Sequence, residues 1–193
     1  MNKSTFIQHT KKNYKLDFEK LWQESILAKD EYNVQRALDF NIEKSFWKGL
    51  APKYDDTATL YDYAPETFHK LLQIIGKDKV LAEIGPGTGK FTLPMSAYAK
   101  KILAIDASES MLKMLDKKIY ENNILNVTPI CSKWEDASIE KIDAIFNVNA
   151  IYRMWNIKDC LMKMNNLAKE KVVIVWTLQR SPFHSIFCKL GQP

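Results

Sequence analysis

The chain has 193 residues, of which 46% are hydrophobic and 26% charged, and its formal net charge is +5. This composition excludes a disordered chain and predicts a globular protein with one core of ordinary size. No apolar run reaches the roughly twenty residues that span a bilayer. The first residues also lack the apolar core of a signal peptide, so we expect a cytoplasmic protein with no membrane contact.

The cysteines are few and far apart: Cys131, Cys160 and Cys188. They have neither the density of a disulfide framework nor the spacing of a zinc site. We therefore expect reduced thiols, most of them packed, and no bound metal.

Positive charge is concentrated towards the carboxy terminus. From residue 151 onward there are seven lysines and arginines and two acidic residues. Such an excess would suit RNA, but most of the lysines fall on a predicted helix, where a solvated face is the usual explanation. Nucleic acid is thus the less favoured partner.

The amino-terminal third is predicted to be helical. Apolar residues recur at helical spacing over residues 18–26 and 34–46, and no strand pattern interrupts them. We predict a helical cap over residues 1–63. Helical spacing resumes at Pro65 and stops at Gly76, as is typical of a helix that opens the next domain.

Strands and helices alternate in the predicted core, residues 64–193. This alternation predicts a Rossmann-like, doubly wound α/β sheet, mostly parallel, with helices on both faces. The apolar runs at 144–146 and 172–175 are typical of central strands. Strands are predicted over 79–84, 101–106, 127–132, 142–148 and 170–177, and helices over 89–99, 108–121 and 157–168.

A glycine-rich turn follows the first predicted strand, which ends in Glu83. The turn contains Gly85, Gly87 and Gly89, and the second strand ends in Asp106. Glycine has no Cβ, so backbone in such a turn can approach a ligand closely. An acid about twenty residues further on can accept hydrogen bonds from both hydroxyls of a ribose. The pattern predicts a nucleoside cofactor.

The same turn argues against two common nucleotides. A P-loop needs a glycine where this chain has Ile84 and a hydroxyl where it has Phe91. A dinucleotide site needs a small residue in place of Lys90, and Glu83 would repel a pyrophosphate. A cofactor without phosphate and with positive charge remains, and S-adenosylmethionine has an ammonium and a sulfonium.

Residues 83–89 together with Asp106 resemble motifs I and II of the class I S-adenosylmethionine-dependent methyltransferases, and the resemblance extends over about residues 79–177. It implies S-adenosylmethionine as the cofactor. The three glycines would then hold the methionine end, Glu83 would lie near its ammonium, and Asp106 would bind the ribose.

The resemblance also implies an adenine side. Ser108 and Met111 belong to the second-motif segment, although Met111 could equally be core. Trp134, Glu135 and Asp136 match the motif in which an acid accepts from the adenine amine. Asp136 takes that position, Glu135 the adjacent one, and Trp134 could stack; the alternative is an ordinary turn.

The fourth strand leads towards the expected position of the reacting methyl group. Asn147 is a candidate contact of the cofactor, and Tyr152 and Arg153 could line the pocket, unless they only serve a helix start. Tyr54 could turn its ring towards the sulfonium, and His184 could take a proton from the acceptor. Tyr54, Tyr152 and His184 are thus weak catalytic candidates.

The resemblance implies methyl transfer to an acceptor with release of S-adenosylhomocysteine. Family members that methylate exocyclic amines of nucleobases or the amide of glutamine carry Asn/Asp-Pro-Pro at the position of residues 147–151. This chain has no proline there. A helical cap also suits a small acceptor, so a small molecule is expected. RNA or protein methylation and a non-catalytic or truncated cofactor-binding module remain the alternatives.

Five strands are predicted, whereas the family sheet has seven. An open sheet edge is prone to pairing. The carboxy-terminal segment, a second copy of the chain in a homo-oligomer, or a missing part of a longer product could cover it.

Overall fold

The computed structural model describes residues 16–56 and 63–176. Three helices and a short 3-10 turn lead into an alternating arrangement of strands and helices. The helices are α1 Phe18–Leu27, α2 Glu31–Leu38, α3 Phe40–Leu50, α4 Ala64–Ile75, α5 Thr92–Ser96, α6 Glu109–Glu121 and α7 Ile157–Leu167. The strands are β1 Val80–Ile84, β2 Lys101–Asp106, β3 Val127–Cys131, β4 Ile142–Val148 and β5 Ala168–Val175. The 3-10 turns among the described residues cover Ala51–Lys53 and Ile151–Arg153.

The second predicted amino-terminal helix is in fact two. Asp39 has extended backbone angles, φ −116° and ψ 110°, and separates α2 from α3. Its side chain accepts a hydrogen bond from the Asn41 amide at 2.7 Å. Aspartate favours this capping position because its oxygen satisfies an otherwise unpaired amide. Apolar spacing continued across residues 34–46 and concealed the break.

The sheet is parallel throughout, with strand order β3-β2-β1-β4-β5. The prediction of a Rossmann-like, doubly wound sheet is confirmed. At the carboxyl end of β1, Ile84 pairs with Ile105 of β2 and with Asn147 of β4. The chain runs from β1 outward to β2 and β3, then returns to the other side at β4. This reversal opens a crevice above the ends of β1 and β4.

Apolar side chains fill both faces of the sheet. On one face Phe146 packs with residues of α4, α5 and α6; on the other, Ile145 packs with residues of α7. Both side chains are fully buried, so β4 is a central strand, as predicted. Within the described residues β5 pairs only with β4 and Ile174 is 40% exposed. Within the described sheet, the apolar run 172–175 therefore lies in an edge strand, whereas a central strand was predicted.

The helix predicted over 89–99 is shorter, because α5 covers only Thr92–Ser96. Gly89 has a φ of +93°, which no helix accommodates, so the glycine turn extends to the start of α5. Helix α4 begins with Pro65 in its first turn and ends at Gly76, as predicted.

Some expectations concern residues outside the described ranges. These residues include Cys188 and the rest of 177–193. The alternatives for covering the sheet edge therefore stay predictions. The division into a cap and a core at residue 63 also stays a prediction. Of the described cysteines, Cys160 is buried and Cys131 exposed, and both are free thiols. Within residues 16–56 and 63–176, none of the helices combines the length and apolar content that crossing a membrane requires.

Gly85 marks a close approach between the chain segments after β1 and β4. A Cβ at this position would lie 2.3 Å from the Ala150 Cβ, and the φ of Gly85 is +70°. Such a contact is far inside van der Waals separation. A side chain here would therefore force the two loops apart.

We expect Gly85→Ala to destabilise the fold by at least about 2 kcal/mol, through left-handed strain and overpacking. Gly49→Ala is the matched control, because Gly49 lies in α3 with no atom within 4 Å of its added Cβ. It should stabilise by about 0.5–1 kcal/mol. Urea unfolding of the two variants measures both, and equal effects would contradict the packing role of Gly85.

Candidate functional site

A cleft of about 390 Å³ lies at the carboxyl ends of β1, β2 and β4, beneath α2 and α3. Many of the predicted site residues line it: Tyr54, Glu83, Gly85, Gly87, Asp106, Ser108, Met111, Trp134, Glu135 and Tyr152. Three predicted residues, Gly89, Asp136 and Asn147, are outside this lining. His184 lies outside the described residues.

The glycine turn forms the floor of the cleft. Gly85 and Gly87 line it, with φ values of +70° and +56°. Gly89 instead faces the core: a Cβ there would lie 2.5 Å from Leu115 Cδ1 of α6. The positive φ and the close packing against Leu115 are therefore sufficient to require glycine at position 89, and no ligand contact is needed to explain it.

Asp106 is held by two main-chain donors. The Gly87 amide donates to its Oδ2 at 3.1 Å and the Ser108 amide to its Oδ1 at 2.8 Å. Burial raises the pKa of this carboxyl, against the effect of both hydrogen bonds. Each carboxylate oxygen has more than one acceptor site, so both can still accept from a ligand. The cap of α6 is Ser108, whose Oγ accepts from the Met111 amide.

Glu83 is an acid buried at the bottom of the cleft. Its side chain is 2% exposed, and Thr92 Oγ1 donates to Glu83 Oε2 at 2.6 Å. Burial raises the pKa of Glu83 to about 8; Asp106 adds to the rise and the Thr92 bond opposes it. The carboxyl is therefore largely neutral at pH 7, and a cation beside it would favour its ionised form.

The loop after β3 is fixed from below by α7. Lys163 Nζ donates to the carbonyl oxygens of Trp134, Glu135 and Ala137 at 2.6, 2.8 and 2.7 Å. Trp134 is buried, and its Nε1 donates to the Cys160 carbonyl. This indole packs as core as much as it borders the cleft. The prediction of a solvated helix face was wrong for Lys163. The charge pattern of the sequence does not distinguish a lysine that binds a loop from one that faces solvent.

The side chains of the acid pair after Trp134 are both exposed. Only Glu135 lines the cleft. The Asp136 amide closes a turn to the Lys133 carbonyl at 3.2 Å. Asn147 is completely buried in β4, and among the described residues neither its Nδ2 nor its Oδ1 has a hydrogen-bond partner.

A polar clasp joins the amino-terminal helices to the glycine turn. Asp55 accepts from Thr88 Oγ1 and from Lys118 Nζ, both at 2.6 Å. Lys118 also donates to the Thr88 carbonyl. Beside this clasp, the Tyr54 ring lies over the turn, 4.0 Å from where a Gly87 Cβ would be. Sequence reasoning missed Asp55 and Lys118, whose pairing spans distant segments.

The cleft fits a cationic nucleoside derivative. Glu83 lacks a cationic partner among the described residues, and an ammonium would supply one. Asp106 is positioned with free acceptor capacity for vicinal hydroxyls. Asp106, together with Glu83 in its ionised form, would repel a pyrophosphate. Across the described residues, the His, Cys, Asp and Glu side chains form no group of three that could hold a metal ion.

Comparisons with known proteins agree with this geometry. A family model described as a methyltransferase domain matches residues 81–171. A protein of Saccharomyces cerevisiae named "Probable S-adenosylmethionine-dependent methyltransferase" is 30% identical over 119 residues, covering 60% of this chain and 38% of the yeast protein. Ribosomal RNA small subunit methyltransferase A of Mesoplasma florum is 25% identical over 123 residues, covering 55% of this chain and 46% of that protein.

Among solved structures, a SAM dependent methyltransferase from Aquifex aeolicus superposes with a TM-score of 0.58 at 20% identity. The superposition covers 70% of this chain and 76% of the Aquifex chain. At this identity the likeness demonstrates the fold. The chain spans less than half the length of the two curated relatives described above.

The sheet, its switch point and the acidic cleft define a nucleoside-binding protein of the Rossmann-like class. More particularly, residues 81–171 match the model of a methyltransferase domain, and the relatives and structural neighbours support a class I S-adenosylmethionine-dependent methyltransferase with S-adenosylmethionine as its cofactor. The predicted resemblance is confirmed.

The raised pKa of Glu83 predicts a pH-dependent stability. Between about 4.3, the pKa of an unfolded glutamate, and about 8, the folded state keeps a proton that the unfolded state has lost. The stabilisation is complete below that range and is lost as pH rises through 8. From pH 5 to pH 9 the wild type should thus lose more stability than Glu83→Gln, by at most about 4 kcal/mol.

Urea unfolding of the ligand-free protein at pH 5, 7 and 9 measures this difference. Asp116→Asn, a change at an exposed position on α6, serves as the control and should follow the wild type. Parallel pH profiles for wild type and Glu83→Gln would show that Glu83 is ionised in the fold at neutral pH.

Proposed function

We propose that the protein transfers a methyl group from S-adenosylmethionine to a small-molecule acceptor and releases S-adenosylhomocysteine. The observation that carries this proposal is the placement of Glu83 and Asp106 beside the glycine turn, at the ends of adjacent strands. The cofactor, when bound, supplies an electrophilic methyl group on a sulfonium. The protein then has to hold and align two molecules and exclude water.

The cofactor-binding roles follow from the lining of the cleft. Glu83 would pair with the ammonium, and Asp106 would accept from the ribose hydroxyls. The backbone at Gly85 and Gly87 would border the methionine end. Ser108, Met111, Trp134 and Glu135 would enclose the adenosine. Gly89, Asp136 and Asn147 would act through the shape of the turn and strand ends, since they do not line the cleft.

Two tyrosines border the space left for an acceptor. Burial raises the pKa of both Tyr54 and Tyr152, with nearby Tyr63 and Glu43, respectively, adding to the rise. Both hydroxyls therefore stay protonated at neutral pH and can donate a hydrogen bond. We assign them to orienting the acceptor rather than to removing its proton.

The position of α2 and α3 supports a small acceptor. Leu38, Phe40 and Trp47 line the cleft from above, and the Asp55 clasp holds this side against the glycine turn. A cleft covered in this way suits a molecule that fits beneath the helices. Ribosomal RNA is the second candidate, favoured by the similarity to the Mesoplasma florum protein.

Calorimetry with S-adenosylhomocysteine, followed by an acceptor screen that measures its release from S-adenosylmethionine, tests the proposal. Binding together with turnover on a small molecule is the expected result. Binding without turnover on any acceptor would favour a non-catalytic module. Turnover on ribosomal RNA alone would favour the second candidate.

Asp106→Ala should weaken S-adenosylhomocysteine binding by about 1.5–3 kcal/mol, because a charged partner of two hydroxyls is lost. Asp106→Asn, which retains one oxygen acceptor, should lose less. Asp116→Ala, at an exposed position on α6, is the control. An affinity unchanged in Asp106→Ala would refute the ribose assignment.

Cofactor binding should release a proton from Glu83. The carboxyl is largely protonated at pH 7 because its pKa is about 8, and an ammonium favours the ionised form. Affinity for S-adenosylhomocysteine should rise from pH 6 to pH 8. Calorimetry in buffers of different ionisation enthalpy measures the number of protons released on binding. The Glu83→Gln variant should bind S-adenosylhomocysteine more weakly and release no proton. A pH-independent wild-type affinity in this range would count against the assignment.

A further inference from the structure

One wall of the cleft contains two arginines that share a single carboxylate. Arg36 Nε and Nη2 donate to Glu43 at 2.7 and 3.2 Å, and Arg153 Nε lies 3.7 Å from Glu43 Oε1. All three residues line the cleft. We call Arg36 and Arg153 the arginine pair. None of its hydrogen bonds involves a residue that binds the cofactor in the proposal above.

Glu43 is already occupied by other donors. Besides the two bonds from Arg36, it accepts from Trp47 Nε1 at 2.7 Å. Its charge is therefore engaged mainly by Arg36, whose guanidinium also stacks 3.2 Å from the centroid of the Phe46 ring. Arg36 is 7% exposed, so this ion pair is nearly buried.

Arg153 shares the carboxylate of Glu43 with Arg36, and Arg36 makes the shorter contacts to it. Arg153 Nη1 and Nη2 donate to the main-chain and side-chain oxygens of Asn33, at 2.6 and 2.8 Å, and both acceptors are neutral. Its Nε is buried without a hydrogen bond. The side chain is 15% exposed. Two nearly buried arginines with one carboxylate between them leave an excess of positive charge, which an anion in the cleft would compensate.

A third cation reports the same excess of positive charge. The pKa of Lys29 is lowered by burial and, next in size, by the charges of Arg153 and Arg36. Lys29 also lies over the Tyr152 ring. Asp30 opposes this lowering with the smallest of the four effects, so the charges felt by Lys29 are predominantly positive.

The surroundings of the arginine pair are mostly apolar. The Trp47 ring lies 5.9 Å from that of Tyr54, which in turn covers the glycine turn. This contact places the pair and the cofactor-binding turn in one continuous cleft. The apolar and aromatic lining includes Leu38, Phe40, Trp47, Tyr54, Tyr152 and Trp155.

We propose that the acceptor is a small carboxylic acid with an apolar body, and that Arg153, supported by Arg36, binds its carboxylate. This inference rests on the proposed function and names its substrate class. A guanidinium matches a carboxylate in charge and in planar geometry. The pair is too buried for an RNA backbone, whose phosphates are bound at open basic surfaces.

Calorimetry on the protein saturated with S-adenosylhomocysteine tests the proposal. The probes are benzoate, phenylacetate and hexanoate, each compared with its neutral amide. At least one acid should bind tenfold or more tightly than its amide. No preference for an acid in any of the three comparisons would overturn the inference, as would salt-dependent binding of a twelve-residue oligouridylate in place of the acids.

Three variants separate recognition from folding. Arg153→Met should weaken binding of the best acid by tenfold or more, and Arg153→Lys should retain part of it. Glu43→Gln, which removes the competing carboxylate, should bind the acid more tightly. Lys113→Met, at a position whose side chain is 70% exposed, is the matched control and should bind as the wild type does.

Affinity for S-adenosylhomocysteine shows whether each variant is folded. An Arg153→Met variant that binds it normally and binds the acid unchanged would overturn the inference. A wild type that fails to bind S-adenosylhomocysteine would instead refute the proposed function. A wild type that binds it and prefers the amides would overturn only the substrate class.

Discussion

The hydrogen bond from the Gly87 amide to Asp106 is the interaction on which the site depends. It joins the glycine turn after β1 to the end of β2, while the Ser108 amide holds the other oxygen of the same carboxylate. The turn, the end of β2 and the start of α6 are thereby positioned together. Because an oriented main-chain donor costs no side-chain entropy, the cleft is organised before any ligand arrives.

Charge is separated along this cleft. Glu83 and Asp106 lie at the end beside the glycine turn, and Arg36 and Arg153 line the wall formed with the amino-terminal helices. Burial raises the pKa of Glu83 and lowers that of Lys29, and the like charges of Asp106 on the first and of Arg153 and Arg36 on the second add to these shifts. Each end is thus electrostatically prepared for a ligand group of the opposite charge.

Much of the core could be predicted from local sequence because its determinants are local. Strand ends carrying Glu83 and Asp106, with glycines between them, predicted the fold and the acidic end of the cleft. Contacts between distant segments could not be predicted in this way. Lys163 was one of the lysines expected on a solvated helix face, and no sequence pattern paired Arg36 with Glu43. Their roles depend on how α2, α3 and α7 pack.

Apolar periodicity also had a physical limit. It reports which faces of an element are buried, and not where the chain turns or which strand lies beside it. Asp39 ended a helix within a continuous apolar pattern, and β5 combined an apolar run with an edge position in the described sheet. The side-chain chemistry of single residues, such as capping by aspartate, carried the missing information.

The clasp between Asp55, Thr88 and Lys118 makes the link between the amino-terminal helices and the glycine turn sensitive to ionic strength. Its ion pair is partly exposed, with side-chain exposures of 26% for Lys118 and 48% for Asp55, and such pairs contribute little net free energy. Dissolved ions screen an exposed pair of this kind. The helices above the cleft should therefore be held less firmly to the glycine turn as the salt concentration rises.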